Sequence, residues 1–390
     1  MNKVIERIAD NAAYFQEHAR EAEELGKLPD ATVAKIRETG VDRMLQPEQY
    51  GGSEAHPVEF FEAVMELAQN SPSAGWVGGL MSIHAYELAG ADPQTQEEIW
   101  GEDPAVWISS PYAPFGRAKP VEGGYLFSGR WPFSSGTDHC GWAFLGGMVT
   151  DANGAIAGPP DIRHFLVKRD QYEIVEGTWD TVGLRGTGSK DVTVEDAFIP
   201  AHRVIEQNLV MTGELARTNR PDNPMYALPF GTMFGGIITA VTLGITQGAL
   251  NASAEYTRNR ISHSGARVAG DPHQLNLLGE AWADVDASRV HFLADVAKYH
   301  DQVVGGQPMD VTQRITARRN QVRASRRSVD AVDRLFMHAG GGSLHRDRPQ
   351  QMFWRDAHAA MNHICNVAPP IYTGFGSDLF GESIAPGVFH

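Results

Sequence analysis

The first hundred residues carry apolar positions at the spacing of α-helices. In the segments IERIADNAAYFQEHAREAEELG and PVEFFEAVMELAQN, apolar residues recur every three or four positions, which places them on one face of a helix. Asp30 after Pro29 and Pro93 after Asp92 are typical of helix starts. The pattern predicts an N-terminal helical domain over residues 1–104.

The pattern changes to that of β-strands over residues 105–210. Short apolar runs such as GYLFSG, WAFLGGMV, HFLVKR and DVTVEDAFI are separated by clusters of Gly, Pro and Asp. Runs of this length and spacing are typical of strands, and AKPVEGG and TDANGAIAGPP are typical of hairpin turns. We therefore expect a middle β domain.

Helical spacing returns over residues 211–390. One segment has no charged residue between Asp222 and Glu255, and its centre is FGGIITAVTLGITQGAL. It is long enough to span a membrane. However, it contains Gln247 and five glycines and lacks flanking basic residues and an aromatic belt. We therefore favour a buried helix of a C-terminal bundle, in which Gly244 and Gly248 allow close packing.

A basic helix is predicted later in the same region. The segment MDVTQRITARRNQVRASRRSVDAVDRLFMHAG contains an apolar stripe, and arginines occupy the other positions. The apolar stripe consists of Val311, Ile315, Val322, Val329, Val332 and Phe336. The arginines could bind an anionic ligand. The interpretation that we favour is an outer face paired with carboxylates of this chain or of a sister subunit.

Composition narrows the functional classes. With 33 Lys and Arg against 48 Asp and Glu, the formal net charge is −15, which disfavours nucleic acid and anionic lipid as partners. The two cysteines, Cys140 and Cys365, exclude a disulfide framework and a thiolate zinc site. The N-terminus lacks the apolar core of a signal peptide. These features predict a cytoplasmic protein.

Several sequence motifs of nucleotide and hydrolytic chemistry are absent. No GxGxxG follows a strand in a βαβ unit, and GxxxxGK[ST], HExxH and GxSxG do not occur. His358 and His363 lie five residues apart, which does not align them on one helix face, and no acidic partner completes a ligand set. We predict no metal site, no nicotinamide site of Rossmann type and no triphosphatase.

Three stretches together resemble the acyl-CoA dehydrogenase superfamily. They are GYLFSGRWPFSSGTDHCGWAFLGG, then VGLRGTGSKDVTVEDAFIPAHRVI, and finally HAGGGSLHRDRPQQMFWRDAHAA combined with the earlier EYTRNRISHSG. Their order matches that superfamily over nearly the whole chain. The resemblance implies an α+β fold with an N-terminal helical domain, a middle β-barrel or sandwich domain, and a C-terminal four-helix bundle.

One departure from the dehydrogenases bears on the reaction. In many dehydrogenases a glutamate follows the Arg-Asp pair and abstracts the α-proton of an acyl thioester, but RDAHAAMNHICN contains none. Without a carboxylate base there, the first step of that reaction has no catalyst. The sequence instead resembles the flavin-dependent monooxygenase branch, the oxygenase components of two-component aromatic hydroxylases. An acyl-CoA oxidoreductase with FAD, using a glutamate from another helix, stays the alternative.

The resemblance implies a reduced flavin, FADH2 or FMNH2, that reacts with O2 at C4a and transfers one oxygen atom to an arene. A dry apolar wall and one donor at flavin N5 protect such an adduct. Ser135 is the expected donor and Ser134 the close alternative. The positions expected to bind the cofactor are Trp131, Phe133, Ser134, Ser135, Gly136, Arg185, Arg260, Gly340, Gly341 and Gly342. Arg185 could contact the flavin or only brace its strand.

The substrate side of the predicted site contains two histidines. A neutral imidazole can accept a phenolic proton at pH 7. The resemblance favours His363 as this base. His84 is the second candidate and is expected on the substrate side. Aromatic walls are expected from Trp76, Tyr112 and Phe133, although each could be an ordinary core residue.

The expected partners follow from the same resemblance. They are an aromatic small molecule, O2 and a separate NAD(P)H:flavin reductase, and the chain is expected to form a homotetramer whose flavin lies between subunits. No nucleic acid or membrane is expected to bind. A third hypothesis is a flavin-free binding or scaffold protein, against which the complete WPFSSG and RDAHA motifs argue.

Overall fold

A computed structural model describes residues 2–156, 158–263, 265–385 and 387–388. The first part is helical, as predicted. Its helices are α1 (Lys3–Asp10), α2 (Ala12–Leu25), α3 (Asp30–Thr39), α4 (Pro57–Asn70), α5 (Pro72–Ala89) and α6 (Pro93–Trp100). The Asp92 side chain accepts a hydrogen bond from the Gln94 amide, so it caps α6 where the sequence predicts a helix start.

The middle part forms one mixed β-sheet. Its strands are β1 (Ile108–Ser109), β2 (Gly116–Val121), β3 (Gly124–Ser134), β4 (Trp142–Val149), β5 (Ile162–Lys168), β6 (Glu173–Val175), β7 (Lys190–Pro200) and β8 (Val204–Glu206). The order is β6-β7-β3-β2-β4-β5-β8, and β1 pairs with β4. Residues from β2, β3, β4, β5 and β7 share one apolar cluster. The sheet therefore curves around its own core.

A β-bulge interrupts the pairing of β3 with β7. Trp131 lies opposite Val192 and Ser134 opposite Lys190, so β3 has one residue more than β7 over this interval. The extra residue allows Phe133 a left-handed φ of 66°, which is unusual for a bulky side chain. The bulge determines which way the side chains of the WPFSSG motif point.

The last part is again helical. Its helices are α7 (Gln207–Met211), α8 (Glu214–Asn219), α9 (Phe230–Asn259), α10 (Pro272–Val304), α11 (Val311–Met337), α12 (Pro349–Met361) and α13 (Ala368–Leu379). Residues of α4, α5, α9, α10, α11 and α12 belong to one large apolar core. The two helical parts therefore share their interior. The division of the chain into three domains, with boundaries after residues 104 and 210, stays a prediction.

The charge-free segment forms α9. This helix meets the length and composition criteria for a membrane span, but 94% of its most apolar 18-residue window is buried inside the protein. Its glycines allow close contacts, since a Cβ at Gly244 would lie 2.6 Å from the Met65 carbonyl oxygen. The structure thus has the buried bundle helix that the sequence favours.

The basic helix is α11, and several of its arginines have partners within the chain. Arg334 bonds to Asp284, and Arg327 donates to Ser288 at 3.0 Å. Arg318 is fully buried and donates to the Cys365 carbonyl oxygen at 2.5 Å. The contacts of Arg334 match the predicted pairing with carboxylates of the same chain.

Candidate active site

His84 lies on α5, is fully buried, and faces the segment that follows β1. Its Nδ1 contacts the Ile108 carbonyl oxygen, and its Nε2 contacts the Ser110 hydroxyl. Because a carbonyl oxygen only accepts hydrogen bonds, Nδ1 carries the proton and Nε2 keeps its lone pair. Burial lowers the pKa of His84 to about 4. His84 is therefore neutral at pH 7, with an accepting Nε2.

His363 has the opposite tautomer. It follows α12 and caps a short 3-10 turn, where its Nδ1 accepts a hydrogen bond from the Cys365 amide at 3.2 Å. The proton of the neutral ring is therefore on Nε2. Burial, and then the nearby charge of Arg318, lower the pKa of His363 to about 4. In this arrangement Nε2 of His363 is a hydrogen-bond donor, which disagrees with the base role expected from the sequence.

A continuous series of aromatic contacts joins the two histidines. His363 lies 5.6 Å from Trp76 and 6.0 Å from Phe234, measured between ring centroids. Phe234 lies 5.2 Å from Tyr112, which lies 6.0 Å from His84. The structure therefore brings together four predicted substrate-side residues that are separated by up to 287 positions in the chain.

Ser135 joins this group from the sheet. Its Oγ accepts a hydrogen bond from Trp76 Nε1 at 3.1 Å and shares another with Ser189 Oγ at 2.7 Å. Ser134 is fully buried and donates to Ser109 at 3.1 Å. Ser135 is therefore better placed than Ser134 to meet a ligand. Gly136 has φ of 69°, which glycine adopts without strain.

The two aromatic residues of WPFSSG have different environments. Trp131 is fully buried in the core of the sheet and donates from Nε1 to the Gly146 carbonyl oxygen at 2.7 Å. Its side chain is a core residue, which corrects the expectation that it faces the flavin. Phe133 is 66% exposed beside Trp179. An exposed aromatic ring on a strained backbone is suited to being covered by a flat ligand.

Arg185 braces its own loop. It donates to Asp180 at 2.7 Å, to the Thr181 carbonyl oxygen at 2.8 Å and to the Glu23 carbonyl oxygen at 3.3 Å. The sequence left open whether Arg185 contacts the flavin or braces its strand. These contacts are those of a bracing residue. The next residues of this loop hold the WPFSSG motif, because the Thr187 carbonyl oxygen accepts a hydrogen bond from the Gly136 amide at 2.8 Å.

Arg260 and the glycine turn lie together at the far end of α9. Arg260 donates to the His338 carbonyl oxygen at 3.1 Å, and a Cβ at Gly340 would lie 2.4 Å from its guanidinium. Gly341 and Gly342 are exposed next to them. Arg260 also lines a cavity of about 860 Å³. Basic groups and backbone amides there suit the phosphates of a nucleotide.

Arg260 and His363 lie toward opposite ends of α9. Phe234 at the start of α9 contacts His363, whereas Arg260 follows the end of α9. The 26 residues between Phe234 and Arg260 span about 39 Å of helix.

Sequence reasoning missed four polar residues of this region. Ser110 bonds to His84, Ser189 bonds to Ser135, and the nearly fully buried Glu87 and His164 bond to each other at 2.6 Å. Glu87 follows His84 by three residues on α5, a spacing that places both on one helix face. That spacing is the signal that could have identified Glu87.

A cluster of potential metal ligands lies outside the predicted site. The ligand atoms of His56, His300 and Asp301 lie within 4.8 Å of one another. The sequence-based search considered only His358 and His363 and therefore did not identify this group.

Comparison with known proteins decides the family. Residues 3–99 match the N-terminal domain and residues 236–367 the C-terminal domain of acyl-CoA dehydrogenase. The chain is 45% identical to a pigment production hydroxylase of Rhodococcus erythropolis over 95% of this chain and 94% of that protein. It is 39% identical to the flavin-dependent monooxygenase oxygenase subunit HsaA of Rhodococcus jostii, over 95% and 96%. The chain belongs to the flavin-dependent monooxygenases of the acyl-CoA dehydrogenase superfamily.

Solved structures agree with this assignment. The 3-HSA hydroxylase of Rhodococcus sp. RHA1 has a TM-score of 0.93 and 38% identity, and 98% of each chain is covered. XiaF from Streptomyces sp., solved with FADH2 and glycerol, has a TM-score of 0.91 and 26% identity over 98% of this chain and 96% of that one. The predicted acyl-CoA dehydrogenase fold is confirmed.

This monooxygenase is the oxygenase component of a two-component aromatic hydroxylase. It uses reduced flavin, which a separate flavin reductase supplies, and it acts on an aromatic substrate. Reduced flavin, when bound, activates O2 and provides the oxygen atom that is transferred. The exposed Phe133 and the hydroxyl of Ser135 at the β-bulge are a surface that fits its ring system.

Proposed function

We propose that this monooxygenase hydroxylates a phenol beside its hydroxyl group, in a site formed by Trp76, His84, Tyr112, Phe234 and His363. The observation that carries the proposal is the pair of opposite histidine tautomers joined by aromatic rings. One end of the site accepts a hydrogen bond through Ser110 and His84 Nε2, and the other donates one from His363 Nε2. Such a site can bind the hydroxyl group of a phenol and orient its ring.

These roles differ from the sequence expectation, which favours His363 as the base and places His84 second. His84, with Ser110, withdraws the phenolic proton and makes the ortho carbon more nucleophilic toward an electrophilic oxygen. His363 donates a hydrogen bond to the oxygen that is being transferred or to the phenolic oxygen. Because both pKa values lie at about 4, neither role depends on pH near neutrality.

Ser135 supports the flavin ring on the opposite side of the site. Its hydroxyl is held by Trp76 and Ser189, so it is already oriented before a ligand binds. This hydroxyl would hold a bound flavin at N5 and would keep the proton on that nitrogen. Apolar neighbours would exclude water from the ring.

A second copy of the chain completes the flavin site in this proposal. Arg260 and the turn of Gly340, Gly341 and Gly342 would bind the phosphates of the flavin held by Ser135 of another subunit. Arg260 lies about 39 Å along α9 from Phe234 of the substrate side, which supports this arrangement. Met337 and Leu344, which flank the glycine turn, are 83% and 65% exposed and suit a subunit interface. We propose a homotetramer without a membrane partner.

A cytoplasmic location is proposed on similar grounds. Cys140 and Cys365 are both buried and free. The burial of these thiols raises their pKa values, so they are poor nucleophiles. A reducing compartment suits a protein that uses neither cysteine in a disulfide.

The test supplies purified protein with FMN or FAD, a flavin reductase, NADH, O2 and a panel of phenols. We expect a catechol from at least one phenol, with one oxygen atom from O2 detected by mass spectrometry after ¹⁸O₂ labelling. Formation of no oxygenated product from any phenol would contradict the proposal. Reduction of bound FAD by an acyl-CoA, seen as loss of its visible absorbance, would establish the alternative dehydrogenase instead.

A further inference from the structure

A fully buried arginine lies behind His363. Arg318 on α11 is 0% exposed, although a guanidinium stays protonated in proteins. Its Nη2 donates to the Cys365 carbonyl oxygen at 2.5 Å, and its Nη1 donates to the Gln321 side-chain oxygen. Burial of a charged group is costly unless hydrogen bonds hold it. A methionine would fill the same space without that cost, so the hydrogen bonds of Arg318 are its distinctive contribution.

Arg318 and Gln321 join three parts of the C-terminal bundle. Both lie on α11, about one turn apart, and Arg318 contacts the short 3-10 turn that follows α12. Gln321 Nε2 donates to the Thr232 carbonyl oxygen at 2.9 Å, in the first turn of α9. Phe234 follows Thr232 by two residues. The same pair of side chains therefore holds the helix start that carries Phe234 and the turn that begins after His363.

The start of α9 is shaped to admit these two side chains. A Cβ at Gly235 would lie 2.0 Å from Nη1 of Arg318 and 2.6 Å from Oε1 of Gln321. Another residue at this position would therefore displace the guanidinium from its place. Glycine inside a helix costs about 1 kcal/mol relative to alanine. The chain has this glycine directly beside Phe234, where Arg318 needs the space.

The 3-10 turn Ile364–Asn366 connects Arg318 to the ring of His363. The peptide between Cys365 and Asn366 is held on both sides, because Arg318 bonds to its carbonyl oxygen and its amide donates to the His363 carbonyl oxygen at 2.8 Å. The preceding peptide supplies the Cys365 amide, which donates to His363 Nδ1 at 3.2 Å. A turn held in this way keeps that amide directed at Nδ1, so the proton of the ring stays on Nε2.

The charge of Arg318 acts on His363 in the same direction. Burial is the larger cause of the low pKa of His363, and the positive charge of Arg318 lowers this pKa further, to about 4. A second proton on the ring is therefore disfavoured. With one proton and an occupied Nδ1, the ring presents a hydrogen-bond donor at Nε2.

We propose that Arg318 is a positioning residue for the hydroxylation: by holding the turn at Cys365, it keeps Nε2 of His363 as the donor toward the substrate. This inference rests on the proposed function, in which Nε2 of His363 donates to the transferred oxygen or to the phenolic oxygen. Arg318 contacts neither substrate nor flavin in this scheme and acts through His363, and Gln321 holds Arg318 in place.

A spectroscopic test needs neither flavin nor substrate. The protein is produced with histidine labelled with ¹³C and ¹⁵N, and magic-angle-spinning NMR at neutral pH correlates each protonated ring nitrogen with its neighbouring carbon. A protonated Nε2 correlates with Cδ2, whereas a protonated Nδ1 correlates with Cγ. The signals that disappear in His363→Gln belong to His363. The wild type should show a protonated Nε2 alone, and Arg318→Met should show both tautomers.

The kinetic test is a double-mutant cycle in single turnovers of the flavin-loaded enzyme. Arg318→Met should slow hydroxylation by about 10-fold, a fraction of the roughly 100-fold that loss of a whole donor costs. In the His363→Ala background the same substitution should slow it no further, because residues that act through one another are not additive. Arg327→Met is the matched control, since Arg327 lies on the same helix and donates to Ser288 of α10 at 3.0 Å. This variant should keep the tautomer and the rate of the wild type.

The outcomes separate the two proposals. If the wild type oxygenates no phenol, the proposed function fails, and the role of Arg318 in hydroxylation fails with it. If the wild type oxygenates phenols and Arg318→Met keeps a single tautomer and the wild-type rate, only the role of Arg318 is overturned. Equal slowing by Arg318→Met with and without the His363 side chain would show that Arg318 acts independently of His363, which also overturns the inference.

A second variant covers the case in which Arg318→Met does not fold. Arg318→Lys keeps the buried charge, but one ammonium group cannot replace the two guanidinium nitrogens that bond to Gln321 and to the Cys365 carbonyl oxygen. His363 should therefore show both tautomers in this variant. A single tautomer with a protonated Nε2 in Arg318→Lys would overturn the inference.

Discussion

Asp356 on α12 connects the C-terminal bundle to the loop that contacts Ser135 and Gly136. It is 4% exposed, and its Oδ1 accepts a hydrogen bond from the Leu184 amide at 2.6 Å. Leu184 has a left-handed φ of 51°, a strained conformation that this bond helps to maintain. The same loop leads to Thr187 and Ser189, which hold Gly136 and Ser135.

The pH dependence of stability tests this contact. Burial raises the pKa of Asp356 from an ordinary 3.8 to about 7, although the Leu184 amide and Arg355 oppose the change. Between pH 3.8 and about 7 the folded protein retains a proton on Asp356 that the unfolded chain releases. The contribution of Asp356 to the free energy of unfolding is therefore complete below pH 4 and is lost as the pH rises to 7. A pKa raised by about three units corresponds to roughly 4 kcal/mol of this free energy.

The substitution Asp356→Asn removes the titrating group and keeps an oxygen that accepts from Leu184. Urea unfolding is measured from pH 4.5 to 8 at one protein concentration, without flavin. The stability of the variant relative to the wild type should increase with pH by up to about 4 kcal/mol. Asp170→Asn, at an exposed carboxylate, is the control and should show no such trend.

A difference in unfolding free energy between Asp356→Asn and the wild type that does not change with pH would refute the raised pKa of Asp356. So would a variant that becomes less stable than the wild type as the pH rises. Either result would mean that the folded protein holds Asp356 as a carboxylate at all these pH values, with the Leu184 amide and Arg355 outweighing its burial.

Three further predictions concern the site. Ser135→Ala removes the acceptor of Trp76 Nε1 and should divert most turnovers to hydrogen peroxide, which is measured with peroxidase. If the variant and the wild type release the same fraction of peroxide, Ser135 has no role at N5. His363→Ala should slow hydroxylation by about 100-fold or more with unchanged flavin affinity, and His363→Gln, which keeps a donor, should retain most of the rate; equal loss in both would contradict the donor role. Gly340→Ala should weaken flavin binding in equilibrium titrations. Gly340 has φ of 75° and ψ of 169°, and a Cβ there would displace Arg260. Unchanged flavin affinity would show that this turn is not part of the flavin site.

Local signals in the sequence determined much of the fold. The spacing of apolar residues predicts the order of helices, strands and helices, because these periods reflect which face of an element meets the core. The sequence also predicts the helix cap at Asp92, because a cap depends on residues that are adjacent in the chain. The absence of charge between Asp222 and Glu255 identified α9, since only a buried helix or a membrane span has that composition. The family motifs further indicated the flavin chemistry.

Tertiary structure alone decided the chemistry of individual side chains. Alternation along β3 would place Trp131 and Phe133 on one face, and the bulge turns Phe133 outward. The tautomers of His84 and His363 depend on a carbonyl oxygen and an amide supplied by the folded backbone.

Contacts between distant segments were equally hidden in the sequence. Glu87 meets Tyr112 and His164 only when α5, the segment after β1 and β5 pack together. The separation of Arg260 from Phe234 on the substrate side follows from the length of α9. A sequence records which groups are present, whereas their burial and hydrogen-bond partners, which set protonation and direction, arise from packing between residues far apart in the chain.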